Sequence, residues 1–404
     1  MHQSIWQECP DCGLLQLLPP PKPHCVRVCV RCRRSFGDGT SHDAAARALA
    51  AASLVLFLLA NLYPFMGLEF RGRENVIHLG SGVEGMADHR ALMPVALFVL
   101  AVAILAPLAR LVALSLVLFG LKHGKSRSFL ANLLHFAERV RPWAMLDVAL
   151  VGALITLTKM HDLASVEVGA GFYTLGMLVV LLAMLELSID RTVLWEQIHP
   201  SPSAEQAPGP DWHGCGKCGL VQPEASICLR CGHRLRRRKP DSLHRTAALV
   251  LAGFILYLPA NLYPVLTVIT FGQGEPSTIL DGVVDLARSR DWPLATIVFV
   301  ASILVPLLKL FGLGLLVVSA RRGTSRALVG RTRLYRLIEL VGRWSSVDVL
   351  VAALLTSLVT LGNLAEVTPG IGVLAFSSVV FLTMLATDLF DPRLIWDAAG
   401  TNHG

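Results

Sequence analysis

The chain has 404 residues, of which 53% are hydrophobic and only 16% charged, with a formal net charge of +7. A soluble protein of this size carries about 25% charged residues, so apolar runs of this length exclude a soluble module and indicate an all-α polytopic membrane protein. On such a chain the positive excess sets orientation and does not imply nucleic acid as a partner.

Residues 1–40 form a first zinc-ribbon-like domain around Cys9-x2-Cys12 and Cys29-x2-Cys32. The first apolar run starts near Ala44 and reads as an uncleaved span, not a secretory leader. Four spans of about 20 residues follow within 41–196, at roughly 44–66, 92–119, 143–161 and 171–189. A linker at 197–210 leads to a second zinc-ribbon-like domain at 211–240, with Cys215-x2-Cys218 and Cys228-x2-Cys231. Four more spans lie within 241–398, at roughly 244–269, 293–319, 345–364 and 371–390, ahead of a tail at 399–404.

The two halves share landmarks in the same order. Asn-Leu-Tyr-Pro occurs at 61–64 and 261–264, Pro-Leu at 107–108 and 306–307, Trp143 to Asp147 matches Trp344 to Asp348, and Asp190 to Trp195 matches Asp391 to Trp396. We read two homologous four-helix modules, and an even number of spans inserts both the same way up. Basic residues crowd the loops at 120–142 and 320–344, which places those loops, both termini and both cysteine domains in the cytoplasm. Phe129, Leu130, Leu133, Leu134 and Phe136 recur at helical spacing in one such loop, and Leu328, Leu334, Leu337, Ile338 and Leu340 in the other. Two readings fit these amphipathic helices. They lie in the interface ahead of Trp143 and Trp344 as anchors, or they pack on the cysteine domains.

Four cysteines in two C-x2-C turns suit a tetrahedral S4 metal site, and a segment of about 30 residues cannot bury enough core to fold alone. Structural Zn2+ is the expected occupant, with iron as the rival. Four thiolates leave no open position, which disfavours a catalytic zinc, with His24, His213 and His233 near the clusters as the residues such a site would need. The second cluster carries a glycine after each knuckle. The first lacks its last glycine, with Arg33 in that place, and His24 and Cys25 offer competing ligands. Cys25 reads as a buried or free thiol. The basic run Arg234, Arg236, Arg237, Arg238 and Lys239 reads as a headgroup contact or topological anchor.

Lys309 lies inside the sixth span, where a charge is costly. Asp348 is its expected partner, with Ser302 seven residues before Lys309, Ser345 three before Asp348, and Thr383 approaching from the last span. The first half holds Arg110 and Asp147 at the charged positions but Ala103 and Ala144 where the serines stand. Lys releases a proton far more readily than Arg, so the second half reads as the working site. The alternative is a purely structural pair. Pro107 and Pro306 read as fixed kinks, and Asn61 and Asn261 as caps or cross-helix bonds. No Walker motif is present, so the chain reads as transporter-like and not as an enzyme.

Paired four-cysteine modules, two four-span blocks, the doubled Asn-Leu-Tyr-Pro and the closing Asp-Pro-Arg-Leu-Ile-Trp-Asp at 391–397 together resemble the paraquat-inducible protein A family. The resemblance covers almost the whole chain. It implies an inner-membrane protein that works with an MCE-domain protein forming a tunnel across the periplasm, and that moves membrane lipids between the two membranes. It further implies zinc at Cys9, Cys12, Cys29 and Cys32 and at Cys215, Cys218, Cys228 and Cys231. A polar network at Ser302, Lys309, Ser345, Asp348 and Thr383, serving proton coupling, is implied as well. The competing expectation is a non-transporting scaffold that anchors the MCE partner and senses zinc or redox state.

Overall fold

The computed structural model describes residues 4–20, 25–37, 42–70, 73–87, 90–161, 165–200, 208–209, 211–270, 273–290, 292–359 and 365–400. His24 and most of the expected linker lie outside them. The first cysteine segment opens with an antiparallel hairpin of β1 (Ile5–Glu8) and β2 (Leu15–Leu18). Then come α1 (Asp43–Leu62), β3 (Met66–Phe70), β4 (Arg73–Ile77), α2 (Ser81–Ala87) and α3 (Met93–Leu100). A π-helical turn at Ala101–Leu105 leads into α4 (Ala106–Lys122). The half closes with α5 (Arg127–Val140), α6 (Leu146–His161), β5 (Ser165–Val168), α7 (Ala170–Ser188) and α8 (Arg191–Ile198).

The second cysteine segment holds β6 (Trp212–Gly214) and β7 (Val221–Pro223), followed by α9 (Ser242–Leu262), β8 (Leu266–Thr270), β9 (Gln273–Ser277), α10 (Ile279–Arg288) and α11 (Trp292–Phe299). A second π turn at Val300–Leu304 precedes α12 (Val305–Arg321) and α13 (Leu328–Gly342). A 3-10 turn at Arg343–Ser346 then gives way to α14 (Val347–Leu358), β10 (Ala365–Pro369), α15 (Ile371–Leu389) and α16 (Leu394–Asp397).

Seven helices among the described residues are long and apolar enough to cross a membrane. The expected seventh of eight spans, at 345–364, is not among them, and part of it lies outside the described residues. It falls on α14, a helix of 12 residues, about 18 Å long against a hydrocarbon core of about 30 Å. Its ending has a cause in the first half of the chain: Asn75 Nδ2 donates to the carbonyls of Ser357 and Leu358, at 3.0 and 2.8 Å. Apart from Asp348, every residue of α14 is buried. Gly82 and Gly85 of α2 permit this, because a Cβ at Gly82 would stand 3.2 Å from the Ala353 backbone and one at Gly85 3.3 Å from the Ser357 Cα. α14 also packs on α6 and α15.

The prolines act through register. Pro107 and Pro306 have no N–H to continue the α ladder. Just ahead of each, Ala106 N donates to Ala101 O and Val305 N to Val300 O, five residues back, so the helix passes through one π turn before resuming. The loops expected beyond the spans contain unforeseen strands. β3 pairs with both β4 and β5, and β8 with both β9 and β10, all antiparallel. Each sheet thus joins the chain after one span to the short connection between two others. Asn61 and Asn261 bond back within their own helices, to Phe57 O and Tyr257 O at 2.8 and 2.9 Å, while Tyr63 and Tyr263 are the C-caps.

Candidate functional site: two cysteine centres and a buried lysine

Four sulfurs converge in each cysteine segment, all within 4.8 Å of one another. Cys9 and Cys32 stand 3.5 Å apart and Cys12 and Cys29 3.6 Å; in the second cluster, Cys215–Cys231 and Cys218–Cys228 are 3.7 and 3.5 Å. A tetrahedral metal with bonds of about 2.3 Å sets its sulfurs about 3.8 Å apart, so both donor sets fit such an ion. Each knuckle closes with a matched backbone bond of 2.9 Å: Gly13 N to Cys9 O, Arg33 N to Cys29 O, Gly219 N to Cys215 O and Gly232 N to Cys228 O. The glycines adopt φ of +72, +75 and +67, and Arg33 is forced to φ +59 in the same role. The missing glycine therefore changes the strain of the first centre and not its geometry. Cys25 is exposed and stands outside the cluster, so it is the free thiol of the two expected forms.

The cysteine segments dock crosswise. Arg336 of α13, in the second half, donates to Asp11 Oδ2 at 2.5 Å, to Cys32 O at 3.2 Å and to Cys32 Sγ at 3.1 Å. The guanidinium of Arg31 lies 4.7 Å over the Trp396 ring. Conversely, Arg230 of the second segment donates to Glu196 of α8 at 2.5 Å, and His233 stacks on His135 of α5 at 5.8 Å. The two segments also touch each other, where Glu8 accepts from Gly214 N at 2.6 Å, and the same carboxylate accepts from Arg393, beside α16, at 3.0 Å. The packing expectation holds for both amphipathic helices, since α5 meets the second cysteine segment at His135 and α13 the first at Arg336; on α5, Leu130 and Leu134 are buried while Phe129 and Phe136 are exposed.

The shared landmarks at the ends of the halves fasten this arrangement. Trp195 packs on His135 at 4.8 Å, and Trp396 Nε1 donates to Thr332 Oγ1 at 3.0 Å. Trp143 is half-buried and packs on Phe381 of the second half at 5.5 Å. Two members of the basic run also serve the protein. Arg238 pairs with Asp397, and Lys239 Nζ donates to Asp388 O and Phe390 O at 2.5 and 3.1 Å.

Lys309 is 2% exposed. Its ammonium donates to Thr383 Oγ1 at 3.0 Å, to Gly342 O at 3.2 Å and to Ser345 Oγ at 3.4 Å. An ammonium has three N–H donors, and three neutral oxygens on α13, the 3-10 turn and α15 occupy them. The direct ion pair expected with Asp348 is not formed. The 3-10 turn brings Ser345 and the last carbonyl of α13 to the ammonium first, and Asp348 follows in the first turn of α14. Ser302 sits on the π turn that packs against this 3-10 turn, and its hydroxyl is buried without a hydrogen-bond partner among the described residues.

In the first half, Arg110 pairs with Glu186 of α7, which Arg141 also reaches at 3.1 Å. Asp147 was the expected counterpart, and it lines the same cavity without forming that pair. Glu186 is absent from the sequence-derived set, although a carboxylate within an apolar run is itself a signal.

The sequence model of the family described as "Paraquat-inducible protein A" matches residues 44–199 and again 243–400. The "Intermembrane transport protein PqiA" of Escherichia coli (strain K12) is 33% identical over 402 residues, covering 96% of this chain and 95% of that protein. "Lipophilic envelope-spanning tunnel protein A" of the same strain is 31% identical, over 98% of this chain and 92% of its own length. A "Probable intermembrane transport protein" of Haemophilus influenzae is 30% identical over 91% of this chain and 90% of its own length. No solved structure matches the chain.

Proposed function

The chain belongs to the paraquat-inducible protein A family, and on that premise we propose that it is the inner-membrane component of an intermembrane lipid transport system. It passes lipids between the inner membrane and a periplasm-spanning tunnel built by an MCE-domain protein. The end-to-end similarity to relatives named for intermembrane transport and for a lipophilic envelope-spanning tunnel supports this reading. In it, the chain comprises two homologous four-helix modules in one orientation, at 41–196 and 241–398, the 3-10 turn and the short α14 together making the third crossing of the second module. Each follows a cytoplasmic zinc ribbon, at 1–40 and 211–240, and both termini are cytoplasmic.

Cys9, Cys12, Cys29 and Cys32 hold one Zn2+, and Cys215, Cys218, Cys228 and Cys231 hold another. A bound zinc supplies the cross-link that a small core cannot. The chain's own residues do the rest: Asp11 and Glu8, beside the first cysteines, tie that ribbon to Arg336 and Arg393 of the second module.

The observation that carries the mechanism is the buried Lys309 held by three neutral oxygens. When the ammonium gives up a proton, the amine keeps two N–H donors, and one of Gly342 O, Ser345 Oγ and Thr383 Oγ1 loses its partner. These acceptors belong to three elements, so protonation is linked to how tightly α13, the 3-10 turn and α15 close around α12. Ser302 offers the amine an alternative hydroxyl, and Asp348, one turn beyond Ser345, receives the proton. A proton gradient acting through Lys309 and Asp348 then drives the change that moves lipid.

The test is lipid transfer from liposomes containing the chain and its tunnel partner, for the wild type, Lys309→Ala and Asp348→Asn. Loss of transfer with normal insertion in both variants supports the reading. Normal transfer in both sinks it and favours a scaffold.

A further inference from the structure

At the position that Lys309 fills in the second half, the first half has a cavity of about 240 Å³. α4, α6 and α7 form its walls. Arg110, Arg141, Asp147 and Glu186 bring two guanidinium groups and two carboxylates to it, so the charged lining is balanced at neutral pH. The remaining walls are apolar, with Leu111, Val179 and Leu182 among them. The contrast with the second half is steric. Ala144 and Ala183 stand where the second half has Ser345 and Met384, and Lys309, Ser345 and Thr383 are closed to 2, 1 and 1% exposure.

A balanced set of this kind does not suit a simple anion, because Glu186 already shares both guanidinium groups. It suits a ligand that carries both signs. A phosphate engages the fork of Arg110 and Arg141, and an ammonium two carbons away takes over the carboxylates of Glu186 and Asp147. Each group of the ligand thus replaces a partner that the opposite group occupies, and no buried charge is left alone. The next face of α7 is apolar and exposed at Val180, Met184 and Leu187. That stripe gives acyl chains a place to lie beside the cavity.

We infer that this cavity is a headgroup site for a zwitterionic phosphoethanolamine lipid, seated between α4, α6 and α7 of the first half. The inference deepens the transport reading and rests on it, by naming the lipid class that the first module recognises and giving the two halves separate tasks. The first reads the headgroup, and the second holds the protonatable lysine.

The test reads binding and not transfer, so its failure leaves the transport reading intact. The full chain is purified in detergent, delipidated and offered phosphatidylethanolamine, phosphatidylglycerol or soluble glycerophosphoethanolamine. Retained ligand is counted by native mass spectrometry. Wild-type protein should retain phosphatidylethanolamine over phosphatidylglycerol. Arg110→Ala should lower that retention about tenfold, the scale of one lost charge-assisted contact. Ala183→Met keeps every charge and fills the cavity, and it should lower retention as much in a monodisperse protein. Equal retention of the two lipids, or undiminished retention in a monodisperse Ala183→Met variant, overturns the site. Soluble glycerophosphoethanolamine binding as well as the lipid overturns the lipid as its source.

Discussion

Arg336 lies in the second half of the chain, yet it donates at 2.5 Å to Asp11, which sits between the first two cysteines, 325 residues earlier. The same guanidinium reaches both the carbonyl and the sulfur of Cys32. Six residues further along α13, Gly342 presents its carbonyl to Lys309. One helix therefore touches a cysteine centre near its middle and the buried lysine at its end.

Arg336→Ala leaves Asp11, which is 1% exposed, with Arg34 as its remaining ion-pair partner among the described residues. The expected cost is about 2 kcal/mol, below the 3–5 kcal/mol typical of a fully buried pair because Arg336 is partly exposed. Hydrogen exchange should rise in residues 25–37 and in α13 together. A rise confined to α13 would show that the first cysteine segment does not depend on this contact.

Arg33 holds a left-handed conformation at φ +59 that its three counterparts reach as glycines. Relief of that strain should make Arg33→Gly stabilising by about 1 kcal/mol. Chelator competition on the first centre is the measurement. The variant should release its metal at higher chelator concentration, and the second centre should be unaffected.

Asp391 is buried, and burial pushes its carboxyl upward, but the bonds from Arg393 and Lys239 outweigh this and hold it below the ordinary carboxylate value. A carboxyl lowered in the folded state contributes stability that is present above its unfolded value, about 3.9, and is lost as pH falls through the folded one. Asp391→Asn should therefore lower the thermal midpoint at pH 7, at a cost of about 3 kcal/mol, the scale of breaking a buried pair. The difference from wild type should narrow below about pH 4. A pH-independent difference would mean that shape, and not charge, matters at this position.

Lys309→Arg keeps the positive charge, matches the residue at the first half's Arg110 position and does not release its proton. Insertion and yield should be retained while lipid transfer falls to the level of Lys309→Ala. Full transfer by Lys309→Arg would show that charge suffices and titration does not.

The parts of this molecule that follow from local chemistry are legible in its sequence. Two C-x2-C turns bring four sulfurs together whatever surrounds them. Serine three residues before Asp348 and a threonine from the last span do reach the lysine, at 3.4 and 3.0 Å. What depends on distant chain is not legible. The end of α14 is set by Asn75, 282 residues away in sequence. Strand β5 is four residues long and gains its identity only by pairing with β3. The crosswise docking rests on arginines that, in sequence, are indistinguishable from those of an ordinary cytoplasmic loop. The expected Lys309–Asp348 pair fails because the 3-10 turn, invisible to a 3.6-residue period, interposes Ser345 and the Gly342 carbonyl.

The most direct measurement of the central claim is lipid transfer from proteoliposomes through the tunnel partner to acceptor liposomes, with and without an imposed pH gradient. The account predicts transfer that depends on the gradient in the wild type and is lost at either setting in Lys309→Ala. Transfer that is indifferent to the gradient and equal in the two proteins would contradict it.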